Sequence, residues 1–247
     1  MIRQNRCNGG FTLVESLLAV SLLMLILAGA VELSRFSKRF FFRLKDSQEF
    51  NQEIWAAQDL IRRDLAGAGS GLSALISAGL LSGLENEGMS LAIYSEETSF
   101  PLPYEVASGS QIIELRTTDS FSRGQLIALV EENKAETATV EKIEKGRLIL
   151  SKPVLEGYKS GTARIIAVKK TCYFLDEKTR ILRRKVNLSP AQPLIEEVTS
   201  LAWAIDPFGF INISLTFNKE PDAIHEIKIA AKNVLLAKNV WAKKGLS

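Results

Sequence analysis

A long apolar run broken by a single carboxylate constrains this chain more than any other feature. It reads Leu13, Val14, Leu17, Leu18, Ala19, Val20, Leu22, Leu23, Met24, Leu25, Ile26, Leu27, Ala28 and Val31, and Glu15 is the only charged residue between Phe11 and Glu32. About 20 apolar residues at 1.5 Å rise span a hydrocarbon core of about 30 Å. Residues 11–33 are therefore expected to form a helix that crosses a membrane. A carboxylate inside such a helix costs about 2.5–3.5 kcal/mol on insertion scales, so a plain anchor gains nothing from Glu15. A partner for it is one explanation; the other is that Glu15 lies near the interface, or is protonated, and does little.

Beyond the run, the pattern stays helical to about residue 66. No Pro or Gly occurs between Val31 and Ala66, and Phe36, Phe40 and Leu44 recur four residues apart. Phe50, Ile54, Ala57, Ile61 and Leu65 continue at spacings of three and four with charged and amide residues between them. That periodicity predicts an amphipathic helix over 34–66 whose stripe docks on the following domain. One helix from Phe11 to Ala66 would be about 80 Å long. The aromatic cluster Phe36, Phe40, Phe41 and Phe42 fits core or interface better than a ligand box.

Gly67-Ala68-Gly69-Ser70-Gly71 stops the helix,. Residues 72–84 read as loop with a short turn or helix. From Ser90 onward short β runs take over: 91–95, 111–117, 125–131, 137–143, 147–151, 163–170, 171–175, 181–186, 200–205, 209–217 and 224–231. Turn signals such as Arg123-Gly124, Lys145-Gly146 and Ser160-Gly161 separate them, and Asp176-Glu177-Lys178-Thr179 reads as a hairpin turn,. A spacing of about ten residues favours antiparallel sheet over βαβ units. The roughly 200 residues after the apolar run suffice for a core of their own, in one domain or two.

Reactive constellations are missing from the pattern, and no enzyme is expected. The lone His225 sits in a strand-like run without a Gly-x-Ser-x-Gly elbow, and Cys172 reads as a small core residue,. No Cys/His metal spacing and no phosphate loop with its lysine occurs, so no cofactor is expected. The acidic pairs Glu85/Glu87, Glu96/Glu97, Glu131/Glu132 and Glu196/Glu197 lack the alternating ligand loop of the best-known calcium motif, so no metal is expected either,. The net charge of +3 is too small to imply nucleic acid. The basic run Ile181-Leu182-Arg183-Arg184-Lys185 is also too small for a DNA-uptake surface.

The N-terminus resembles a known family. A short basic leader ending Gly9-Gly10, then Phe11-Thr12-Leu13-Val14-Glu15 and a long apolar helix, is similar to the type IV prepilin and pseudopilin signature. The resemblance implies that a prepilin peptidase cuts between Gly10 and Phe11, that the new amine of Phe11 is N-methylated, and that Glu15 fixes register between subunits. It implies four regions: a leader at 1–10, the transmembrane half of the helix at 11–33, its amphipathic half at 34–66, and an extracytoplasmic β-rich head at 67–247. Arg3 and Arg6 precede the apolar run and Arg35, Lys38 and Arg39 follow it, so charge alone leaves the orientation open,. The resemblance places the leader in the cytoplasm and the protein in a bacterial inner membrane, single pass, with its head in the periplasm, then in a pilus or pseudopilus. Cys7 would leave with the leader, and Cys172 alone cannot form an intramolecular disulfide.

Later segments add to the resemblance. Ile61-Arg62-Arg63-Asp64-Leu65-Ala66-Gly67-Ala68-Gly69 is similar to a helix end of PilW-like minor pilins. Gly124 to Val130 with Ala138 to Ile143 is like the inserted β module of that group. Tyr173-Phe174-Leu175-Asp176, Leu182-Arg183-Arg184 and Leu194 to Val198 resemble segments of those proteins and of the J class of type II secretion pseudopilins. The expected fold is α+β and pilin-like: a long N-terminal helix packed on an antiparallel head with a β-rich insertion. Expected partners are other minor and major pilins, the prepilin peptidase and the inner-membrane assembly platform. Three roles fit these features: a minor pilin of a type IV pilus, a J-class minor pseudopilin, and a tip adhesin or DNA-binding module acting through residues 90–160.

Overall fold

The computed structural model describes residues 12–87, 90–205, 210–219, 223–231 and 233. The chain divides into two compact units, residues 1–52 and 53–247. Helix α1 (Leu13–Ala66, 54 residues) runs through that division without a break, as expected for a stretch with no Pro and only Gly29 inside it,. It is long and apolar enough, by length and composition, to cross a membrane.

In the first unit the helix stands alone among the described residues. Phe36, Phe40 and Leu44 are exposed there, whereas Ile54, Ala57, Ile61 and Leu65 are buried. The expected docking stripe is thus corrected: Phe36, Phe40 and Leu44 are exposed, and among the described residues of the first unit α1 has no second element to pack against.

The second unit is built on an antiparallel sheet. Its strands are β1 (Leu84–Glu87), β2 (Ser90–Pro101), β3 (Ile112–Glu114), β4 (Leu126–Glu131), β5 (Lys134–Glu144), β6 (Arg147–Leu150), β7 (Arg164–Asp176), β8 (Ile181–Val186) and β9 (Gln192–Ile195). The path is β1-β2-β7-β4-β5-β6-β3, with β8 and β9 branching from β7. A three-stranded sheet of β10 (Val198–Ile205), β11 (Phe210–Phe217) and β12 (Ile224–Ala230) follows. In β11 the buried residues alternate as Ile211, Ile213, Leu215 and Phe217, so one face of this sheet is covered,.

β7 organises the larger sheet. One edge pairs with β2 over nearly its whole length, from Pro101↔Arg164 to Ser90↔Phe174. The other edge is shared, with β4 alongside Arg164–Ala167 and β8 alongside Thr171–Asp176. Asn187 closes the gap between them. Its backbone N–H donates to the Lys170 carbonyl at 2.7 Å and its Oδ1 accepts from the Lys170 N–H at 2.8 Å.

Alternation along β7 then separates two cores. Ile165 and Ala167 join Ile127, Leu129, Val140, Leu148 and Tyr158 in the core of the insertion that β3 to β6 supply. Ile166 and Val168 face the other way, onto Leu72, Leu75 and Ile76 of the short helix α2 (Ser73–Ser77) and its approach. The first half of β7 is therefore buried on both faces, which explains its unbroken Ile165-Ile166-Ala167-Val168 run,.

The end of α1 is fixed to the second half of β7. The Asp64 carboxylate accepts from Tyr173 Oη at 2.6 Å, from Arg184 Nε at 2.8 Å and from Arg184 Nη2 at 3.2 Å. Tyr173 and Arg184 are cross-strand partners on β7 and β8, so one carboxylate ties three elements. Burial, and then the bond to Asp64, push the Tyr173 hydroxyl well above its ordinary value, keeping it a donor,. Beyond the helix, Gly69 donates to the Tyr94 carbonyl at 2.7 Å and Glu96 donates to the Ser70 carbonyl at 2.8 Å, which lays the loop along β2. Gly69 and Gly83 meet there. A Cβ on Gly83 would lie 3.1 Å from the Gly69 Cα, at a φ of 76° that side chains avoid,.

The side chains of Arg184 and Asp64 are only 15% and 8% exposed. Replacing Asp64 with Ala would leave a buried guanidinium unpaired, and thermal unfolding of the detergent-solubilised full chain is expected to report a loss of about 3–5 kcal/mol. Tyr173→Phe should cost less, about 1.5–3 kcal/mol for one bond to a charged group. The double change Asp64→Leu with Arg184→Met should recover much of the single-mutant loss, since it strands no charge.

Candidate functional site

The sequence points to the start of α1. Gly10 and Phe11 lie outside the described residues; Thr12 and Glu15 do not. Thr12 precedes the first helical residue, where the backbone N–H groups of the opening turn have no helical acceptor. Its Oγ1 accepts the Glu15 N–H at 3.3 Å, and Glu15 reaches back so that its Oε2 accepts both the Thr12 N–H and the Thr12 hydroxyl at 3.0 Å. This is a capping box, with Thr12 as cap and Glu15 three residues on. The lone acid of the membrane segment is thereby placed against the positive end of the helix dipole, which favours it. Both bonds from Thr12 land on Oε2, and Oε1 has no partner among the described residues.

Glu15 stands out in the sequence as the lone acid of the apolar run, whereas its partner Thr12 does not. The signal was present: Thr-x-x-Glu ahead of an apolar run is the capping-box pattern,.

The other sequence candidates do not gather into a reactive centre. His225 stands on β12 with its ring edge against Phe217, centroids 5.2 Å apart. Cys172 is half-buried on β7 at the margin of the α2 core, and burial raises its thiol,. Among the described residues, no three His, Cys, Asp or Glu side chains converge as metal ligands would. Each acidic pair has at least one member with a protein partner. Glu85 and Glu87 both accept from Tyr94 Oη, at 3.0 and 3.2 Å, and Glu87 pairs with Lys170 at 2.5 Å, which holds its carboxyl below the usual range. Glu97, the extra residue at the β2 bulge, accepts from Gln125 at 2.6 Å and from Asn187 at 3.1 Å,. Glu131 accepts from Thr162 at 2.6 Å, and Glu197 pairs with Lys219 at 3.5 Å.

The basic run on β8 is similarly engaged. Arg183 pairs with Asp176 at 3.0 Å and Arg184 with Asp64. The insertion does carry one open cleft of about 440 Å³, with walls from Phe100, Leu102, Pro103 and Leu115 and with Arg116 as its one charged lining residue. The size suits a small-molecule site. Its walls come from three separate stretches of chain, so no local motif announces it.

Removing the Thr12 hydroxyl tests the cap. Thr12→Val should cost about 1 kcal/mol at the helix start and Thr12→Ser should not. Amide hydrogen exchange of the first turn in detergent micelles reads this directly, with faster exchange expected in the Val variant alone.

Comparison with known proteins bears on the same end of the chain. No curated protein matches it. Residues 5–31 match the prokaryotic N-terminal methylation motif. That match supports a type IV pilin-like protein, processed and methylated at its N-terminus.

Proposed function

We propose that this protein is a minor pilin that takes part in initiating or assembling a type IV pilus. The observation that carries the reading is Glu15, an acid held at the start of an apolar helix, five positions beyond Gly10 and inside the matched methylation motif. Cleavage between Gly10 and Phe11 would leave a cationic, N-methylated amine on Phe11 at nearly the depth of the carboxylate. Opposite charges attract strongly in a medium of low dielectric, and removing one strands the other. Glu15 of one subunit would neutralise Phe11 of the next and fix their axial register.

The length of the head supports a component made in few copies over a major pilin. The protein would wait in the inner membrane as a single pass with its head in the periplasm, then join other pilins above the assembly platform.

The same features suit a J-class minor pseudopilin of a type II secretion system, and a retraction ATPase or a secretion pore encoded nearby separates the two. A tip-binding role is the other reading, favoured by the open cleft of the insertion.

Mass spectrometry of the membrane-purified protein should find an N-terminus at Phe11, one methyl group heavier than the unmodified chain. Gly10→Ser should block that processing. Glu15→Ala should leave it intact and impair piliation; normal piliation in that variant removes the role given to Glu15.

A further inference from the structure

The stretch that follows the apolar run exposes aromatic rings beside a cluster of cations. Between Glu32 and Asp46 the chain carries no acid, yet it holds the cations Arg35, Lys38, Arg39, Arg43 and Lys45 and the rings of Phe36, Phe40, Phe41 and Phe42. All four rings are exposed, Phe41 to 64%. Phe36 stacks on Phe40 with centroids 6.4 Å apart, and Phe41 meets Phe42 edge-on at 6.1 Å. At about 100° per residue, Phe41 and Phe42 leave the helix on different sides from the Phe36–Phe40 pair. A face built to dock on protein would gather its rings into one stripe.

Charge is unbalanced in the same place. Arg35 lies 3.9 Å from Glu32 and Lys45 3.7 Å from Glu49, both pairs well exposed. Lys38, Arg39 and Arg43 have no carboxylate partner among the described residues.

Depth decides what surrounds them. If the hydrocarbon core begins near Leu13, about 30 Å of helix ends near Leu33, and the polar headgroup layer occupies about the next 5–8 Å. Helical side chains lean toward the N-terminus, here toward the membrane, and Lys and Arg stems reach further still. The rings and cations of residues 35–43 therefore fall within or just above that layer. Aromatic rings favour this depth, and anionic headgroups attract cations held near the surface.

We infer that residues 34–45 form a basic and aromatic collar that binds the anionic phosphate headgroups of the leaflet at the far end of the span. The inference rests on the reading of residues 11–33 as the membrane span. It also accounts for cations on the flank opposite the leader, where a charge-based orientation rule disfavours them: the lipids supply the counter-charge.

The full-length chain in phosphatidylcholine vesicles containing spin-labelled phosphatidylglycerol or spin-labelled phosphatidylcholine tests this. Wild type should immobilise the anionic probe with a preference of about fivefold or more. The preference should collapse toward one in about 1 M salt, where screening shortens to about 3 Å. It should collapse likewise when Arg35, Lys38, Arg39 and Arg43 are all changed to Gln. Resistance to alkaline carbonate extraction is measured alongside. Extraction of the wild type overturns the span reading and the collar with it. Resistance without lipid preference, or a preference unchanged in the Gln variant, overturns the collar alone and leaves those rings to neighbouring subunits.

Discussion

The Asp64 carboxylate holds the second unit together at its most consequential joint. The helix end supplies it, a central strand and the next strand each direct a donor to it, and the side chains of the ion pair keep only 15% and 8% of their exposure. Burying a charge costs several kcal/mol unless its partners are well placed, so such a triad is a poor device for stability alone. It does fix geometry. Ile54, Ala57, Ile61 and Leu65 could slide along an apolar surface at modest cost, whereas a carboxylate shared between a guanidinium fork and a phenol has one position,. The rotation and height of the helix end follow from that position, and with them the start of the loop that pairs with β2.

From this joint β7 carries the order outward. Its second half meets the helix end through Tyr173, and its first half serves as a wall between the insertion core and the α2 core. The insertion thus shares a strand with the rest of the unit and does not hang from a linker. A change of neighbour along one edge, from β4 to β8, is what lets a single strand serve both regions. The paired bonds between Asn187 and Lys170 seal the point of exchange, where two backbone groups would otherwise lack partners,.

Much of this was legible in the residues. The long helix, its end at the Gly-rich Gly67–Gly71 stretch, the antiparallel texture and the hairpin turn after Asp176 all have local causes, and the structure has them. Residues 163–170 and 171–175 read as two strands but form one, because nothing in Val168-Lys169-Lys170-Thr171 breaks a strand; the texture changes there since the neighbours change. β1 and β9 have no local signal, because Leu-Glu-Asn-Glu and Gln-Pro-Leu-Ile lack β-forming runs and owe their strand form to one-sided pairing,. The joint at Asp64 joins residues 109 and 120 positions apart, and no local pattern encodes such a meeting.

The capping box at the other end of α1 changes what Glu15 can be. A carboxylate needed for the helix start looks unavailable to a neighbouring subunit, and one kept for a neighbour looks wasted on a cap. The geometry removes the conflict. Thr12 uses Oε2 alone, so the cap orients the acid at the helix end while Oε1 has no partner among the described residues. An acceptor held in place in advance gives up less conformational freedom on meeting a cation than a freely rotating one. In the proposed filament, a Phe11 amine would approach a carboxylate already aimed by its own chain, and the Thr beside the cleavage point would act as the positioning residue for the Glu.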